Sequence, residues 1–225
     1  MKHRWVRILI ISVAAVILAA VLAASAAMVV LHIRTTALQD DYLFLYENEK
    51  YRTPVRIDGV RVIEQDVSCG YAVIEMFSSW NGNGITEQSL YDEYGRVVTS
   101  TGKAFCAEMN KQFSEYSTTM HSYLKNSELI ALIYENLEEG IPVPIEWAAL
   151  YDGEWTLHYS LVTGIDIPGD KVTVANPYGY VEEIELSEFL DRTSFEAYRN
   201  MPLFLRLGFA FGIFEKNTVF TVRRI

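Results

Sequence analysis

The sequence predicts an α+β fold, a helical half followed by an antiparallel sheet, preceded by one N-terminal transmembrane helix. Three features carry that expectation: an almost unbroken apolar run near the start, helical periodicity with capping residues between Ser68 and Gly140, and alternating segments punctuated by turn residues beyond Gly140. Helices and strands segregated in this way suit α+β packing, because a parallel α/β sheet needs them to alternate. With 225 residues, 50% of them apolar, 13 Gly and 6 Pro, the chain suits one folded domain plus an accessory segment.

The accessory segment comes first. Lys2, Arg4 and Arg7 precede an apolar run from Ile8 to Leu31 that is interrupted only by Ser12 and Ser25. As a helix this run spans about 36 Å, more than the roughly 30 Å hydrocarbon core of a bilayer. Residues 1–34 therefore read as a transmembrane anchor, or as a signal segment if the Ala24-Ser25-Ala26 triplet is cleaved and the domain secreted. The flanking cations place the N-terminus in the cytoplasm and the domain outside it. Residues 35–53 lack a clear period and read as a linker, leaving 54–225 as the folded domain. Four of the 19 basic residues and none of the 29 acidic ones lie in residues 1–34, so the remainder carries a net charge of −14. That excess argues against nucleic acid as a partner, since phosphates need a basic surface.

Along the domain, "VRIDGVRVI" (55–63) alternates about Asp58-Gly59, a pair suited to a two-residue hairpin turn. From Ser68, a fair N-cap, the period becomes helical, with Cys69, Ala72, Val73, Met76, Phe77 and Trp80 on one face. Further helices are expected from Thr86 to Tyr94, from Lys103 to Phe113, and from Asn126 to Glu139, the last closed by Gly140. Strands follow in "PVPIEWAAL", "WTLHYSLVTGI", "KVTVAN" and "YVEEIEL", separated by Asp152-Gly153, by "DIPGD" and by Asn176-Pro177. The apolar "MPLFLRLGFAFGIF" (201–214) is too short to span a bilayer and reads as buried core, with a surface dipping into the membrane as the alternative.

The chemistry centres on Cys69, in the first turn of its helix, where unpaired N–H groups and the helix dipole favour a thiolate. A thiol nucleophile needs a base, and the domain offers His121, in a polar loop-like stretch, and His158, on a strand with Ser160 and Val162 of the same facing. His158 is the better base, and Asn176, at the end of the next strand, can hold the imidazole by its other nitrogen. Taken singly, these are a buried cysteine, a core histidine and an Asn-Pro turn; together they supply nucleophile, base and orienter. A disulfide between Cys69 and Cys106 would silence that chemistry and is the ordinary expectation in an oxidising compartment, but both cysteines fall inside apolar helical patterns.

"SCGYAVIEM", "HYSLVTGID" and "VTVANPYG", spread over roughly residues 60 to 190, together resemble the papain-like cysteine peptidases of the bacteriocin-processing, double-glycine-leader type and their stand-alone peptidase-like relatives. The resemblance implies a papain-like fold, with Cys69, His158 and Asn176 in the three catalytic roles and Gln65 as an oxyanion-hole donor. It further implies cleavage of a peptide or amide bond in a peptide or protein substrate through an acyl-thioester on Cys69. A catalytically silent module binding a peptide or cell-envelope component, or a thiol acyltransferase, uses the same residues. No ATP-binding cassette accompanies these motifs, and the domain is expected to lie across the membrane from ATP, so the resemblance does not imply export-coupled, cytoplasmic leader cleavage. "GNG" (82–84) and "TGKAF" (101–105) lack the residues of a phosphate loop, so no nucleotide is expected. Neither a cofactor nor a metal is expected, because no Cys/His pair has zinc spacing and no Asp-rich loop suggests calcium.

Overall fold

The computed structural model describes residues 2–96 and 99–225. Helix α1 (Lys2–Leu38) is continuous, and its apolar side chains are exposed along most of its length. Among the described residues it is the one helix long and apolar enough to cross a membrane. Beyond it, residues 35–53 lie against the domain: Leu45, in the short helix α2 (Phe44–Glu47), and Tyr51 enter the core, and Asp40 accepts a 3.0 Å hydrogen bond from the Ser127 N–H.

The helical half consists of α3 (Cys69–Asn81), α4 (Glu87–Tyr94), α5 (Gly102–Gln112) and α6 (Asn126–Glu138). Its boundaries follow from capping chemistry. Ser68, Thr86 and Thr101 each accept a backbone N–H from the first turn of α3, α4 and α5, while Gly140 takes the left-handed conformation after α6 at φ 77°. The strands are β1 (Val55–Arg56), β2 (Tyr116–His121), β3 (Val143–Tyr151), β4 (Glu154–Asp166), β5 (Lys171–Asn176), β6 (Tyr180–Ile184) and β7 (Thr218–Arg224). They pair antiparallel in the order β2-β7-β3-β4-β5-β6, with β1 also on β4. Asp152 and Gly153, at φ 48° and 79°, make the tight turn between β3 and β4.

The sheet divides two apolar layers. Trp147, Ile145 and Val162 face α6 and Phe189 of α7 (Leu186–Thr193), whereas Tyr159, Leu161 and Phe220 face α3 and α5. Adjacent residues of β4 therefore project into different layers, as strand alternation requires.

Two expectations fail. The stretch 55–63 is not a hairpin: Val55 and Arg56 pair with Ile165 and Gly164, and the Ile57 N–H reaches the Thr163 carbonyl at 2.7 Å. Pairing with an open stretch of the long strand β4 satisfies this backbone better than an isolated two-residue hairpin, which is marginal in water. The 201–214 segment is only half core. Gly208 and Phe209 of α8 (Leu203–Ala210) are buried, but Leu203, Phe204, Phe211 and Ile213 are exposed. A single short helix offers one face to the domain, and the apolar residues of the other face stay outside.

Candidate active site

Cys69 is the first residue of α3, directly after the Ser68 cap, whose hydroxyl accepts the Tyr71 N–H at 3.2 Å. The glycine that follows is required by packing, since a Cβ at Gly70 would lie 2.4 Å from Thr99 Oγ1. Tyr71 turns into the helical layer, where its hydroxyl donates to the Gly95 carbonyl at 2.7 Å. Contrary to the expectation of a depressed thiol pKa, burial pushes Cys69 up to about 11, and Glu146 adds to the rise. The N–H groups of Tyr159, Gly70 and Cys69 itself act the other way without overcoming desolvation. Both Cys69 and Cys106 are free thiols.

His158 and Asn176 are joined directly, with Nε2 and Oδ1 3.0 Å apart and both residues buried. The Asn176 amide orientation is fixed from both ends, because Oδ1 also accepts the Tyr178 N–H at 3.0 Å and Nδ2 donates to Glu182. An oxygen can only accept, so the proton of the neutral imidazole sits on Nε2 and Nδ1 keeps the free lone pair. Tyr178 stacks on the imidazole at 4.2 Å and 19°, covering this bond, and its hydroxyl is 2.8 Å from Thr156 Oγ1. Burial lowers the His158 pKa to about 3; the Asn176 bond opposes the shift and Arg192 reinforces it.

The thiol and the imidazole address the same short piece of β4. The Tyr159 N–H acts on the sulfur, and His158 is the preceding residue. Yet His158 leaves the strand on the Trp147 face and Tyr159 leaves it on the α3 face, and no hydrogen bond joins the thiol to the ring among the described residues. Gln65 lies in the loop before α3, its N–H donating to the Pro177 carbonyl at 2.8 Å while Glu64 bridges to Tyr178. Its side-chain Oε1 is buried without a partner among the described residues. His121, by contrast, ends β2 and contacts Thr221 Oγ1 at 2.9 Å.

A model of the Peptidase_C39 like family matches residues 57–202, a span that contains Gln65, Cys69, His158 and Asn176. The chain belongs to the Peptidase_C39 like family. The solved structure of a double glycine motif protease from an AMS/PCAT transporter, in complex with the leader peptide, is similar over 76% of this chain and 99% of that one, at 13% identity and a TM-score of 0.48. No curated protein matches the chain.

Within this C39-like domain, three residues that sequence reasoning passed over organise the candidate site. Glu87, at the start of α4, accepts the N–H groups of Asp66, Val67 and Ser68 at 2.8, 2.8 and 2.6 Å and so holds the loop that delivers Cys69. Glu182 takes the Asn176 amide and pairs with Arg192, whose Nη1 lies 2.6 Å from Oε2. Arg192 also donates to the Ala148 carbonyl at 2.9 Å and sits 3.6 Å over the Trp147 ring. A Thr-Glu pair opening a helix reads as ordinary capping, which conceals Glu87. Glu182 and Arg192 stand in an alternating strand and an amphipathic helix, where a charge normally marks the solvent face.

Proposed function

We propose that this chain is a membrane-anchored cysteine peptidase whose domain, residues 54–225, lies outside the cytoplasm and cleaves a peptide or amide bond through an acyl-thioester on Cys69. The observation that carries the reading is the fixed His158–Asn176 pair, which leaves the Nδ1 lone pair free on the residue next to the one whose N–H acts on the Cys69 sulfur. In this scheme Nδ1 removes the thiol proton as sulfur attacks the substrate carbonyl carbon. The Cys69 N–H, without an intrahelical partner in the first turn, and the Gln65 amide stabilise the oxyanion. Collapse of the tetrahedral intermediate expels the amine, which takes its proton from His158, and a water activated by the same nitrogen hydrolyses the thioester. Peptides or proteins are the substrates. Residues 8–31 are the membrane contact, with the preceding Lys2, Arg4 and Arg7 holding the N-terminus in the cytoplasm.

A thiol pushed up to about 11 beside an imidazole lowered to about 3 favours one rival, a silent module that binds peptide without cleaving it. Labelling with a thiol-directed electrophile, read by mass spectrometry, separates the two. The peptidase reading expects Cys69 to react faster than Cys106 and His158→Ala to slow Cys69 by about 10²-fold or more. Equal labelling of both cysteines, rising only with pH and indifferent to His158, supports the silent module. Labelling of a folded Asn176→Ala variant at the wild-type rate would remove Asn176 from the site and leave a dyad.

A further inference from the structure

Helix α8 and residues 211–214 form an apolar foot beside the end of α1. The inward side of α8 is packed: Phe209 touches Phe195 and Phe214 and shares a cluster with Leu31 of α1, and a Cβ at Gly208 would lie 2.6 Å from the Phe214 ring. The outward side has no such cover. Leu203, Phe204 and Phe211, on one side of a helical wheel, are 67, 70 and 59% exposed, and Ile213 next to them is 55% exposed.

What covers this face follows from where it stands. Helices α1 and α8 pack against each other, and the cleft between them, about 380 Å³, is lined by Met28, Leu31, His32 and Thr35 on the α1 side. Those residues straddle the end of the apolar run, where Leu31 gives way to His32 and Arg34. The foot therefore stands at the depth where a spanning α1 leaves the hydrocarbon. Around the same cleft the acidic domain turns locally cationic, with Arg199 and Arg206 beside His32, while the lining carboxylate Glu196 is paired with Lys216 at 3.4 Å. An outward apolar face rimmed by cations, at the level where a span meets water, has the chemistry of an interfacial helix.

We propose that α8 and residues 211–214 lie in the outer interface of the bilayer that holds α1, with Phe204 and Phe211 among the acyl chains and Arg199 and Arg206 at the phosphates. The domain is then held at the membrane surface by two contacts and has a fixed orientation, instead of swinging on a single anchor. This rests on the anchor reading above, and the experiment separates the two.

The full chain is reconstituted into phosphatidylcholine–phosphatidylglycerol liposomes as wild type, as F204W, and as Y91W for a control on the helical half. Emission of the added indole is the difference from the wild type, which has four tryptophans. With Phe204 about 5–10 Å into the headgroup–acyl boundary, brominated lipids quench most of the F204W increment, aqueous acrylamide does not, and the Y91W increment behaves in the opposite way. If liposomes float with the protein while F204W responds to acrylamide and not to bromolipid, the foot is in water: the proposal fails and the anchor stands. Protection from both quenchers means that protein, such as a second copy, covers the face, and also overturns it. Failure of the protein to float with liposomes removes the anchor and the foot together.

Discussion

On the base side of the site, His158, Asn176, Glu182 and Arg192 pass hydrogen bonds along one buried chain, and Arg192 ends it on a carbonyl and an indole ring. On the Cys69 side, the groups that act on the thiol include polar atoms without partners among the described residues, both Glu146 oxygens and the Tyr159 hydroxyl, and Gln65 Oε1 in the preceding loop is likewise unpartnered. Buried polar groups are normally satisfied, so the contrast is informative. Under the proposed reaction, His158 is already oriented in the resting protein, whereas the Cys69 side, where burial holds Glu146 protonated, would have to acquire charge. The same contrast ranks the consequences of breaking each side.

The largest effect is expected at Arg192, whose side chain is 4% exposed against 15% for Glu182. Arg192→Met removes the cation and leaves the partly buried Glu182 carboxylate with only the Asn176 amide. Losing one member of a buried pair costs about 3–5 kcal/mol, and the double variant Arg192→Met/Glu182→Gln should recover part of it. Chemical denaturation of the chain in detergent measures both. A loss near that of a surface charge would mean that the chain of bonds contributes little to the base side.

Next comes Glu146, whose pKa burial raises from 4.5 to about 8, with Glu215 adding to the rise. A carboxyl with a raised folded-state pKa binds more protons when folded than when unfolded. Its contribution is therefore fully present below pH 4.5 and is lost as pH rises through about 8. Wild type should lose on the order of 2–4 kcal/mol over that window relative to Glu146→Gln, which cannot ionise. Parallel stability curves for the two proteins would show that Glu146 is solvated or paired and that the nucleophile side is less bare than described.

How much of this could be read from the chain depends on the range of the interaction. The boundaries of α3, α4 and α6 were legible because Ser68, Thr86 and Gly140 act within a turn of themselves, and β5 was legible because Lys171 to Val174 alternates and turn residues flank the strand. The interior strand β7 passed unread, since "TVFTVRR" has no turn partner and is defined by pairing with β2 and β3 from distant sequence. The hairpin expected at 55–63 failed for the related reason that β4 offered a better partner. Within the site, residue types and order put His158 and Asn176 together, but burial reversed the expected sign of the Cys69 shift. A helix N-terminus is visible in sequence and desolvation is not.

Asn176 shows how a neighbour changes a forecast. Sequence alone makes Asp the benign replacement, because a carboxylate accepts the same imidazole bond. The structure adds that Asn176 Nδ2 donates to Glu182, so Asn176→Asp removes that donor and sets two carboxylates against each other. We expect a loss of about 1–3 kcal/mol, and a double variant with Glu182→Gln should regain about 1 kcal/mol through coupling. Strictly additive melting shifts would show that Glu182 does not sense residue 176 and would disconnect the base side from Arg192.

Glu87 is the smallest expected effect and the sharpest test, because it is a well-satisfied group that holds the loop leading into Cys69. Its carboxylate accepts three consecutive backbone N–H groups just before Cys69, and the Glu87 backbone N–H donates to Glu75 Oε2 at 2.7 Å. Glu87→Gln preserves shape and removes one acceptor: Oε1, which takes Val67 and Ser68, can remain oxygen, but the atom facing the Asp66 N–H becomes an NH₂. One buried donor facing another costs about 1–2 kcal/mol, less than the Arg192 change because two of the three bonds persist. The informative readout is local. If the loop sets the position of the sulfur, Cys69 labelling should slow by about tenfold, the equivalent of about 1.4 kcal/mol, while Cys106 labelling is unaltered. If Glu87 only stabilises the fold, both thiols should keep their wild-type rates in the folded protein and only the melting temperature should fall. That second result would confine the preorganisation of this site to the base side and leave Cys69 to be positioned when substrate arrives.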